Sequence, residues 1–304
     1  MKTQRDKKNI DGILLLNKPQ GLTSNAVLQK VKYLYMAKKA GHTGSLDPLA
    51  TGMLPLCFGE ATKISQFLLD SDKCYTVTAL LGIKTDTGDA MGDTIAIKPT
   101  RFVTFELLNA AVKTFVGDIM QVPPMFSALK RDGVPLYKLA RAGIEVERTP
   151  RQVTINSIEI NHFTQDTFKL TVSCSKGTYI RTLIEDIGDK LGVGAHVTEL
   201  HRVYSAGFVN DKMYSLDELS AASEEDLLSY LLPIDRAIDY LPKIVLSEDE
   251  VKMLYQGRIL EQVLPISSAS PVVSLYTTEN VFIGLGDISC PMQLKAKRLL
   301  SAKL

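Results

Sequence analysis

The segment GHTGSLDPLATGMLPLCFGEATK, residues 41–63, constrains this chain more than any other part of its sequence. Its four glycines permit backbone conformations that other residues rarely adopt, and Pro48 and Pro55 restrict the backbone further. The segment shows neither a helical nor an alternating apolar period. We therefore predict a structured loop over residues 41–59 that holds one side chain at a defined point above a folded core.

Asp47 is the only carboxylate between His42 and Phe58, and it precedes a proline. An aspartate in this setting most often forms a turn or caps a helix. The alternative is a reactive carboxylate that the loop presents to a substrate. The residues of the loop alone leave both interpretations open.

Periodicity and turn residues predict a series of helices and strands around this loop. We predict strands at 12–16 and 74–82, an antiparallel pair of strands at 153–160 and 168–175, helices at 24–35 and 105–115, and a strand end that turns into a helix over 178–191.

Length and composition are those of an ordinary globular protein, with 304 residues of which 45% are hydrophobic and 23% charged. The first apolar run, residues 13–16, is far too short for a signal peptide or a membrane span, so we expect a cytoplasmic protein. Four cysteines and four histidines are dispersed without zinc-ligand spacing. We expect neither a disulfide framework nor a bound metal.

The formal net charge of +1 is unevenly distributed along the chain. Residues 211–250 hold eleven acidic and three basic side chains, which gives that segment a charge of −8 and the rest of the chain +9. A basic body of this kind can bind a phosphate backbone, although charged faces of ordinary surface helices give the same pattern.

Two further segments differ from their surroundings. Residues 121–152 form a long stretch with six basic residues and interleaved Phe126 and Tyr137, which predicts either an RNA-contacting insertion or an ordinary basic surface helix. Residues 243–304 contain short apolar runs separated by Asn, Ser and Gly, which indicates a small β-rich C-terminal domain.

The residues around Asp47 resemble the catalytic motif of pseudouridine synthases, and GHTGSLDPLATGMLP is similar to the TruB branch of that family in particular. Further blocks resemble that branch in the same order along residues 12–205. They are GILLLNKP at 12–19, TDTGD at 85–89, SKGTYIR at 175–181 and GAHV at 194–197. The likeness is weaker beyond residue 243.

The resemblance implies an α+β fold, in which helices flank a central mixed, mostly antiparallel sheet. It implies a pseudouridine synthase catalytic domain over 1–242 and a PUA-like RNA-binding domain over 243–304. The implied function is isomerisation of a uridine in the T-loop of tRNA, at position 55, to pseudouridine. We expect the tRNA T-arm as the substrate, no cofactor, no metal, no membrane association, no required protein partner and a monomeric state.

The resemblance also implies roles for individual residues. Asp47 is the catalytic nucleophile, and Arg181 pairs with it and keeps it ionised in a site closed to water. Tyr75 packs on the flipped base and assists proton transfer. Three other substrate-binding residues follow from the resemblance: Tyr179, Leu200 and His42. An extended backbone would place Tyr179 on the same face as Arg181.

Lys18 could either bind a phosphate or brace the loop. Many relatives have an arginine where this chain has Cys74, and a second arginine where it has His201, which puts phosphate contacts at those two positions in doubt. Two alternative functions remain at this point. One is a catalytically silent RNA-binding module on the same scaffold, and the other is a branch that acts on rRNA with guide-RNA partners, which the short chain without basic tails disfavours.

Overall fold

The computed structural model describes residues 6–261, 271–288 and 293–301. Over these residues the chain forms the strands β1 (Gly12–Lys18), β2 (Ala40–His42), β3 (Thr51–Phe58), β4 (Lys73–Leu81), β5 (Ile83–Thr85), β6 (Thr94–Ile97), β7 (Gly117–Gln121), β8 (Lys130–Arg131), β9 (Val134–Pro135), β10 (Arg151–Phe163), β11 (Thr167–Cys174), β12 (Ala195–Ser205), β13 (Lys243–Leu246), β14 (Leu260–Glu261), β15 (Val272–Thr277), β16 (Phe282–Asp287) and β17 (Gln293–Leu299).

Five of the eight described helices begin at a serine or threonine whose side chain caps the first turn. The helices are α1 (Ser24–Leu34), α2 (Ser65–Leu69), α3 (Phe105–Lys113), α4 (Leu136–Arg141), α5 (Ile180–Lys190), α6 (Leu216–Ala221), α7 (Glu224–Ser229) and α8 (Glu248–Tyr255), with 3₁₀ turns at Gly59–Lys63 and Ile234–Ile238. The Thr23 side chain caps α1, and capping boxes begin α6, α7 and α8. The predicted strands and helices are confirmed with small differences at their ends, except that no strand precedes the helix within 178–191.

An eight-stranded sheet organises the larger part of the molecule. Seven strands lie in the order β1-β3-β12-β4-β11-β10-β7, and β2 pairs with β3 beside this path. All pairs are antiparallel except β12 with β3, so the sheet is mixed but mostly antiparallel. Helices α1 and α5 pack on one face through the largest cluster of buried apolar side chains. The fold class expected from the sequence is confirmed.

The prediction of a loop over all of residues 41–59 is wrong, because Thr51–Phe58 forms β3. This strand pairs with β1 along one edge and with β12 and β2 along the other, and seven of its eight residues are buried. A strand buried on both faces has no alternating polar pattern that would reveal it. Its Gly52 and Pro55 also resembled loop residues.

A five-stranded sheet in the order β13-β15-β16-β17-β14 follows residue 243. Val272 and Leu285 from this sheet pack with Ile13 and Leu15 of β1 in a second apolar cluster on the opposite face of the central sheet. The C-terminal β-rich part is therefore joined to the larger part through buried side chains. The three described cysteines, Cys57, Cys74 and Cys174, are buried free thiols, and Cys290 lies outside the described residues.

Candidate active site

A cavity of about 290 Å³ opens beside the middle of the central sheet. The loop between β2 and β3 supplies Asp47, strand β4 supplies Tyr75, and β12 supplies Leu200. Tyr179 and Arg181 line the same cavity from the start of α5. Five of the six site residues expected from the sequence thus come together around one space.

His42 is the exception among the expected site residues. It lies on β2, and it is not among the residues that line the cavity. Its Nδ1 is buried and has no hydrogen-bond partner among the described residues. Burial and the nearby Arg202 guanidinium lower the pKa of His42, so its imidazole is neutral at neutral pH.

The loop that carries Asp47 is fixed on both sides of that residue. The Ser24 hydroxyl donates to the Leu46 carbonyl at 3.1 Å and accepts from the Leu46 amide at 2.8 Å. After Asp47, the Pro48 carbonyl accepts a 2.7 Å hydrogen bond from the Gly21 amide. The backbone of Asp47 is therefore held in place by the segment that begins α1.

Lys18 also supports the loop that carries Asp47, from the end of β1. Its side chain is fully buried, and its Nζ donates to the carbonyls of Ala50 at 2.7 Å and Pro19 at 2.9 Å. Burial lowers the pKa of Lys18 to about 8, although the Asp47 carboxylate opposes this shift. Of the two roles considered for Lys18, the structure supports bracing the loop, because its ammonium is not accessible to a phosphate.

The Asp47 carboxylate faces the cavity and pairs with Arg181. Its Oδ2 lies 2.9 Å from Arg181 Nε, and 41% of the Asp47 side chain remains exposed against 5% of the Arg181 side chain. Burial raises the pKa of Asp47 above its ordinary value, and the Arg181 guanidinium opposes that rise. The Asp47 backbone does begin a turn, since its carbonyl accepts from the Ala50 amide at 3.1 Å, but its side chain pairs with Arg181.

Three more oxygens fix the Arg181 guanidinium. Its Nη1 donates to the Thr87 carbonyl at 2.7 Å, and its Nη2 donates to the Phe126 carbonyl at 2.8 Å. A second buried carboxylate, Asp89, has its Oδ2 3.9 Å from Arg181 Nε. Arg181 thus has its orientation fixed before any substrate binds.

The backbone from Tyr179 to Arg181 is not extended throughout, and the strand end that the sequence predicted before this helix does not form. Arg181 is the second residue of α5, and only Tyr179 has an extended conformation, with φ −98° and ψ 106°. Both side chains line the cavity nevertheless, because the chain turns from a strand-like path into the helix at this point. Burial raises the pKa of the Tyr179 phenol.

Arg202 is a buried arginine that the sequence did not assign to the site. It lies opposite Tyr75 in the pairing of β12 with β4, and only 1% of it is exposed. Its Nε donates to the Met53 carbonyl at 2.6 Å and its Nη2 to the Gly44 carbonyl at 3.3 Å. Burial raises the pKa of the Tyr75 phenol, and Arg202 opposes this rise. Tyr75 is therefore protonated in the free protein.

Strands β3 and β12 approach each other closely at Arg202, and a glycine makes this approach possible. Gly52 pairs with Arg202 where β3 runs parallel to β12, and it has φ +97°. A Cβ atom there would lie 2.3 Å from the Arg202 carbonyl oxygen. A glycine at this position is required by both the backbone conformation and the space.

Gln121 is a second residue that the sequence did not identify. Its side chain is buried, its Oε1 accepts from the Tyr179 amide at 2.8 Å, and its Nε2 donates to the Tyr179 carbonyl at 3.0 Å. This amide therefore fixes the backbone that leads into α5 and orients both Tyr179 and Arg181. The sequence around either residue could not have predicted this pair, because 58 residues separate Gln121 from Tyr179.

The two positions where relatives differ, Cys74 and His201, lie on neighbouring strands. His201 Nδ1 is 2.9 Å from the Thr51 hydroxyl, and Cys74 is buried. Among the described residues, no cluster of three or more His, Cys, Asp or Glu side chains could hold a metal ion. In the same part of the chain, no helix combines the length and apolar character needed to cross a bilayer.

Comparison with known families identifies what this arrangement resembles. Residues 32–180 match the family described as TruB family pseudouridylate synthase, N terminal domain. Residues 181–239 match the tRNA pseudouridylate synthase B C-terminal domain, and residues 242–300 match Pseudouridine synthase II TruB, C-terminal.

Individual relatives are similar over their whole length. The chain is 52% identical over 304 residues to a protein of Legionella pneumophila named tRNA pseudouridine synthase B, covering 100% of both chains. A protein of the same name from Aromatoleum aromaticum is 49% identical over 298 residues, with 98% of this chain and 95% of the relative covered.

Solved structures share the fold at lower identity. The Cbf5 chain of a Cbf5–Nop10–Gar1 complex superposes with a TM-score of 0.70 and 28% identity, covering 91% of this chain and 78% of that chain. The corresponding chain of an archaeal box H/ACA Nop10–Cbf5 complex gives a TM-score of 0.71 and 25% identity, with 96% and 86% covered.

Proposed function

This chain belongs to the TruB family of pseudouridine synthases, and from that premise we propose that it isomerises a uridine in the T-loop of tRNA, at position 55, to pseudouridine. The observation that carries the proposal is the Asp47 carboxylate, 2.9 Å from Arg181 Nε, in a cavity that Tyr75 also lines. The relatives named tRNA pseudouridine synthase B support tRNA as the substrate.

The reaction moves one bond and leaves the atomic composition unchanged. The N1–C1′ bond of uridine breaks, the uracil rotates, C5 bonds to C1′, and the C5 proton leaves while N1 gains one. Asp47 is the nucleophile that forms a transient covalent bond to one of the two parts, through attack either at C1′ of the ribose or at C6 of the base. Both routes require an ionised carboxylate and no external oxidant or reductant.

Arg181 has the position that this nucleophile needs. An ionised carboxylate in a cavity is disfavoured by desolvation, and a guanidinium within hydrogen-bonding distance offsets part of that cost. Because Thr87 and Phe126 fix the guanidinium from behind, Arg181 does not have to reorganise during the reaction. Its charge is therefore available to the carboxylate from the beginning of the reaction.

The substrate uridine reaches Asp47 only after it leaves the RNA stack. The carboxylate faces a space of about 290 Å³, which suits one flipped nucleotide but not a base within a stack. Tyr75 packs on the flipped uracil and assists proton transfer. Tyr179 and Leu200 form further walls of the cavity, and His42 contacts the RNA segment from which the base has been extruded.

The remaining expectations belong to the same proposal. Residues 1–242 are the catalytic domain, and residues 243–304 are a PUA-like domain that binds the RNA outside the cavity. The enzyme acts in the cytoplasm as a monomer without a protein partner or cofactor. The two solved Cbf5 structures contain partner proteins, so light scattering of the purified chain, and turnover by that chain alone, are the measurements that test this point.

The decisive experiment is a single-turnover assay on an unmodified tRNA transcript that carries tritium at C5 of uridine. The wild-type enzyme releases tritium to water as pseudouridine forms, and Asp47→Asn does not. Asp217→Asn, an exposed aspartate on α6 that does not line the cavity, is the matched control and retains full activity. A wild-type protein that binds tRNA but releases no tritium contradicts the proposal.

That last outcome would favour a catalytically silent RNA-binding module. The paired Asp47 and Arg181 argue against it, because ionising a carboxylate in a cavity costs free energy that binding alone does not require.

A further inference from the structure

Arg202 brings a positive charge to the active-site cavity that no described carboxylate balances. It lines the cavity together with Tyr75, and only 1% of it is exposed. The ion pairs of the cavity belong to Arg181, and Arg202 forms none with the described carboxylates. A buried charge is costly unless it is paired, so an uncompensated guanidinium beside a reacting group indicates a function beyond packing.

The basic groups near Arg202 add to this excess of positive charge. Burial chiefly, and the charge of Arg202 in addition, lower the pKa values of Lys18, Lys73 and His42. The ammonium groups of Lys18 and Lys73 are bound to backbone carbonyls, so neither lysine supplies a counter-charge. A negative charge that forms next to Arg202 would therefore be stabilised.

Tyr75 is placed to take up such a negative charge. Arg202 lies directly opposite Tyr75 in the antiparallel pairing of β12 with β4. Residues paired in this way have side chains on the same face of the sheet, with Cβ atoms about 4.5–5.5 Å apart. The carboxylate of Asp47, which lines the same cavity, is instead paired with Arg181.

Several elements of the fold influence the ionisation of the Tyr75 phenol. Burial raises its pKa most, while Arg202 on β12 lowers the pKa through its charge and a hydrogen bond. Cys174 on β11 and Asp47 on the loop before β3 act with burial and raise the pKa. Arg202 is therefore the group that favours the phenolate against the influence of its surroundings.

The Arg202 guanidinium is fixed before any substrate binds. Its Nε and Nη2 donate to the carbonyls of Met53 and Gly44, at 2.6 and 3.3 Å. A charge that does not have to reorganise during a reaction stabilises a developing opposite charge most effectively.

We propose that Arg202 is a positioning residue for the proton transfer that Tyr75 assists, and that its guanidinium stabilises the phenolate form of Tyr75. This inference rests on the proposed function. In this step the phenol gives its proton to N1 of the rotated uracil, and the phenolate takes the proton that leaves C5. Tyr75 ends as the phenol that it was at the start, and the proton from C5 then exchanges with water.

The first test measures the ionisation of Tyr75 in the free protein by NMR. Tyrosines are labelled with ¹³C at Cζ, and the signal of Tyr75 is identified by its absence in Tyr75→Phe. Arg202→Gln removes the charge and should raise the pKa of Tyr75 by about 1–3 pH units, whereas Arg202→Lys keeps a charge and should raise it less. An unchanged pKa of Tyr75 in Arg202→Gln overturns the proposal.

A comparison within the wild-type protein needs no variant of Arg202. Tyr35 is also buried, its phenol donates to the Leu227 carbonyl, and burial raises its pKa together with Tyr214 and Tyr230. We expect Tyr75 to ionise at a lower pH than Tyr35, because Arg202 stabilises its phenolate. Ionisation of Tyr75 together with Tyr35, or at higher pH, contradicts the proposal.

The second test asks whether Arg202 acts through Tyr75 during the reaction. Arg202→Gln should lower the single-turnover rate of tritium release by about 10²-fold in the wild-type background. In the Tyr75→Phe background the same substitution should lower the rate less than about twofold further, because the phenol is already absent. If Arg202 only braced the loop that carries Asp47, the loss would be equally large in both backgrounds, and that outcome contradicts the proposal.

Arg236→Gln is the matched control for this cycle. Arg236 is a half-buried arginine that also donates to a backbone carbonyl, that of Gly207, but it does not line the cavity. The rate of this variant should stay within about twofold of the wild-type rate, since its loss affects stability and not the site.

The two measurements separate this inference from the proposed function. Tritium release by the wild-type protein, combined with an unchanged pKa of Tyr75 in Arg202→Gln, overturns this inference alone. A raised pKa of Tyr75 in that variant, without tritium release by the wild-type protein, supports the pairing of Arg202 with Tyr75 and contradicts the isomerase.

Discussion

Arginines lie both in the cavity around Asp47 and in the insertion over residues 121–152, but the two regions use them in opposite ways. Around Asp47, the Arg181 side chain is 5% exposed, and each of its nitrogens lies within 3 Å of an oxygen from Asp47, Thr87 or Phe126. In the insertion over residues 121–152, Lys130 and Arg151 are exposed and have no ion-pair partner among the described residues.

The difference separates chemistry from recognition. A buried, fully bonded cation keeps one geometry, acts in a weakly screened environment, and causes a large loss when it is removed. Exposed cations are screened by salt, contribute in small steps, and adapt to a ligand of variable shape. We therefore expect changes around Arg181 to affect the rate of the chemical step, and changes to the exposed cations of the insertion to affect the affinity for tRNA.

The largest effect after loss of Asp47 itself is expected for Arg181→Gln. This variant leaves Asp47 and Asp89 near each other without the cation between them. The single-turnover rate should fall by about 10³-fold, while the Kd for tRNA changes only a few-fold. Rapid-quench tritium release and filter binding measure the two quantities. If Arg181→Gln lowered only the affinity for tRNA and not the rate, the proposed difference between the two regions would be wrong.

Tyr75→Leu comes next and tests the aromatic wall of the same cavity. Loss of a group that assists proton transfer costs about 10²–10⁴-fold in rate, and we expect a much smaller loss in affinity. Tyr75→Phe is the matched control, because it keeps the aromatic ring and removes only the hydroxyl group. Equal losses in rate and affinity for Tyr75→Leu would mean that the residue serves only in packing.

Gln121→Ala should have an intermediate effect, about 10–10²-fold on the rate, because it acts through the backbone of Tyr179 and not on the substrate. It also leaves the Tyr179 amide without a hydrogen-bond partner, which costs about 1–3 kcal/mol of stability. The Tyr179 carbonyl still accepts from the Leu183 amide. Gln152→Ala, an exposed residue on β10, is the control. A rate loss that follows only the fraction of unfolded protein would mean that Gln121 has no positioning role.

The pH dependence of the rate provides a further test of the buried region. Burial raises the pKa of Asp47, and the reaction needs the ionised form, so the rate should fall as the pH drops through this raised pKa. Arg181 opposes the rise, and its removal therefore moves the acid limb to higher pH. Single-turnover rates of wild type and Arg181→Gln across the acid range, at saturating enzyme, measure this shift. An acid limb that stays in place would show that the pair is not coupled.

The smallest expected effect is that of salt on the chemical step. Raising salt from about 50 to 200 mM should weaken tRNA binding strongly, while the single-turnover rate at saturating enzyme changes less than about twofold. We expect this difference between rate and affinity because Arg181 is buried, whereas Lys130 and Arg151 of the insertion are exposed to salt. A rate as sensitive to salt as the Kd would mean that the active-site ion pair is screened like a surface pair.

Much of the fold was predictable from local pattern. The alternation along β4 and the helical spacing of α1 correspond to observed elements because one face of each is buried. Strand β3 escaped prediction because it is buried on both faces and contains a glycine and a proline. The division into domains at residue 242 stays a prediction.

The candidate site was predictable where its residues lie in recognisable motifs. The pairing of Arg181 with Asp47 was expected, and the structure places the two side chains 2.9 Å apart. Gln121 and Arg202 were not assigned to the site, and bracing of the loop was one of two roles left open for Lys18. Each acts through a hydrogen bond to a distant backbone atom, and a single sequence contains no signal for such a partner.

The sequence by itself determined the chemistry available to this protein, because a lone carboxylate in a glycine- and proline-rich loop, and a guanidinium in a second motif, define what can react. Only the tertiary structure decided which of the many charged side chains are buried and bonded and which are left exposed. Burial and partnership depend on contacts between segments far apart along the chain, and these contacts exist only once the sheet has formed. The same residue type therefore becomes a fixed part of an active site in one place and an exposed surface cation in another.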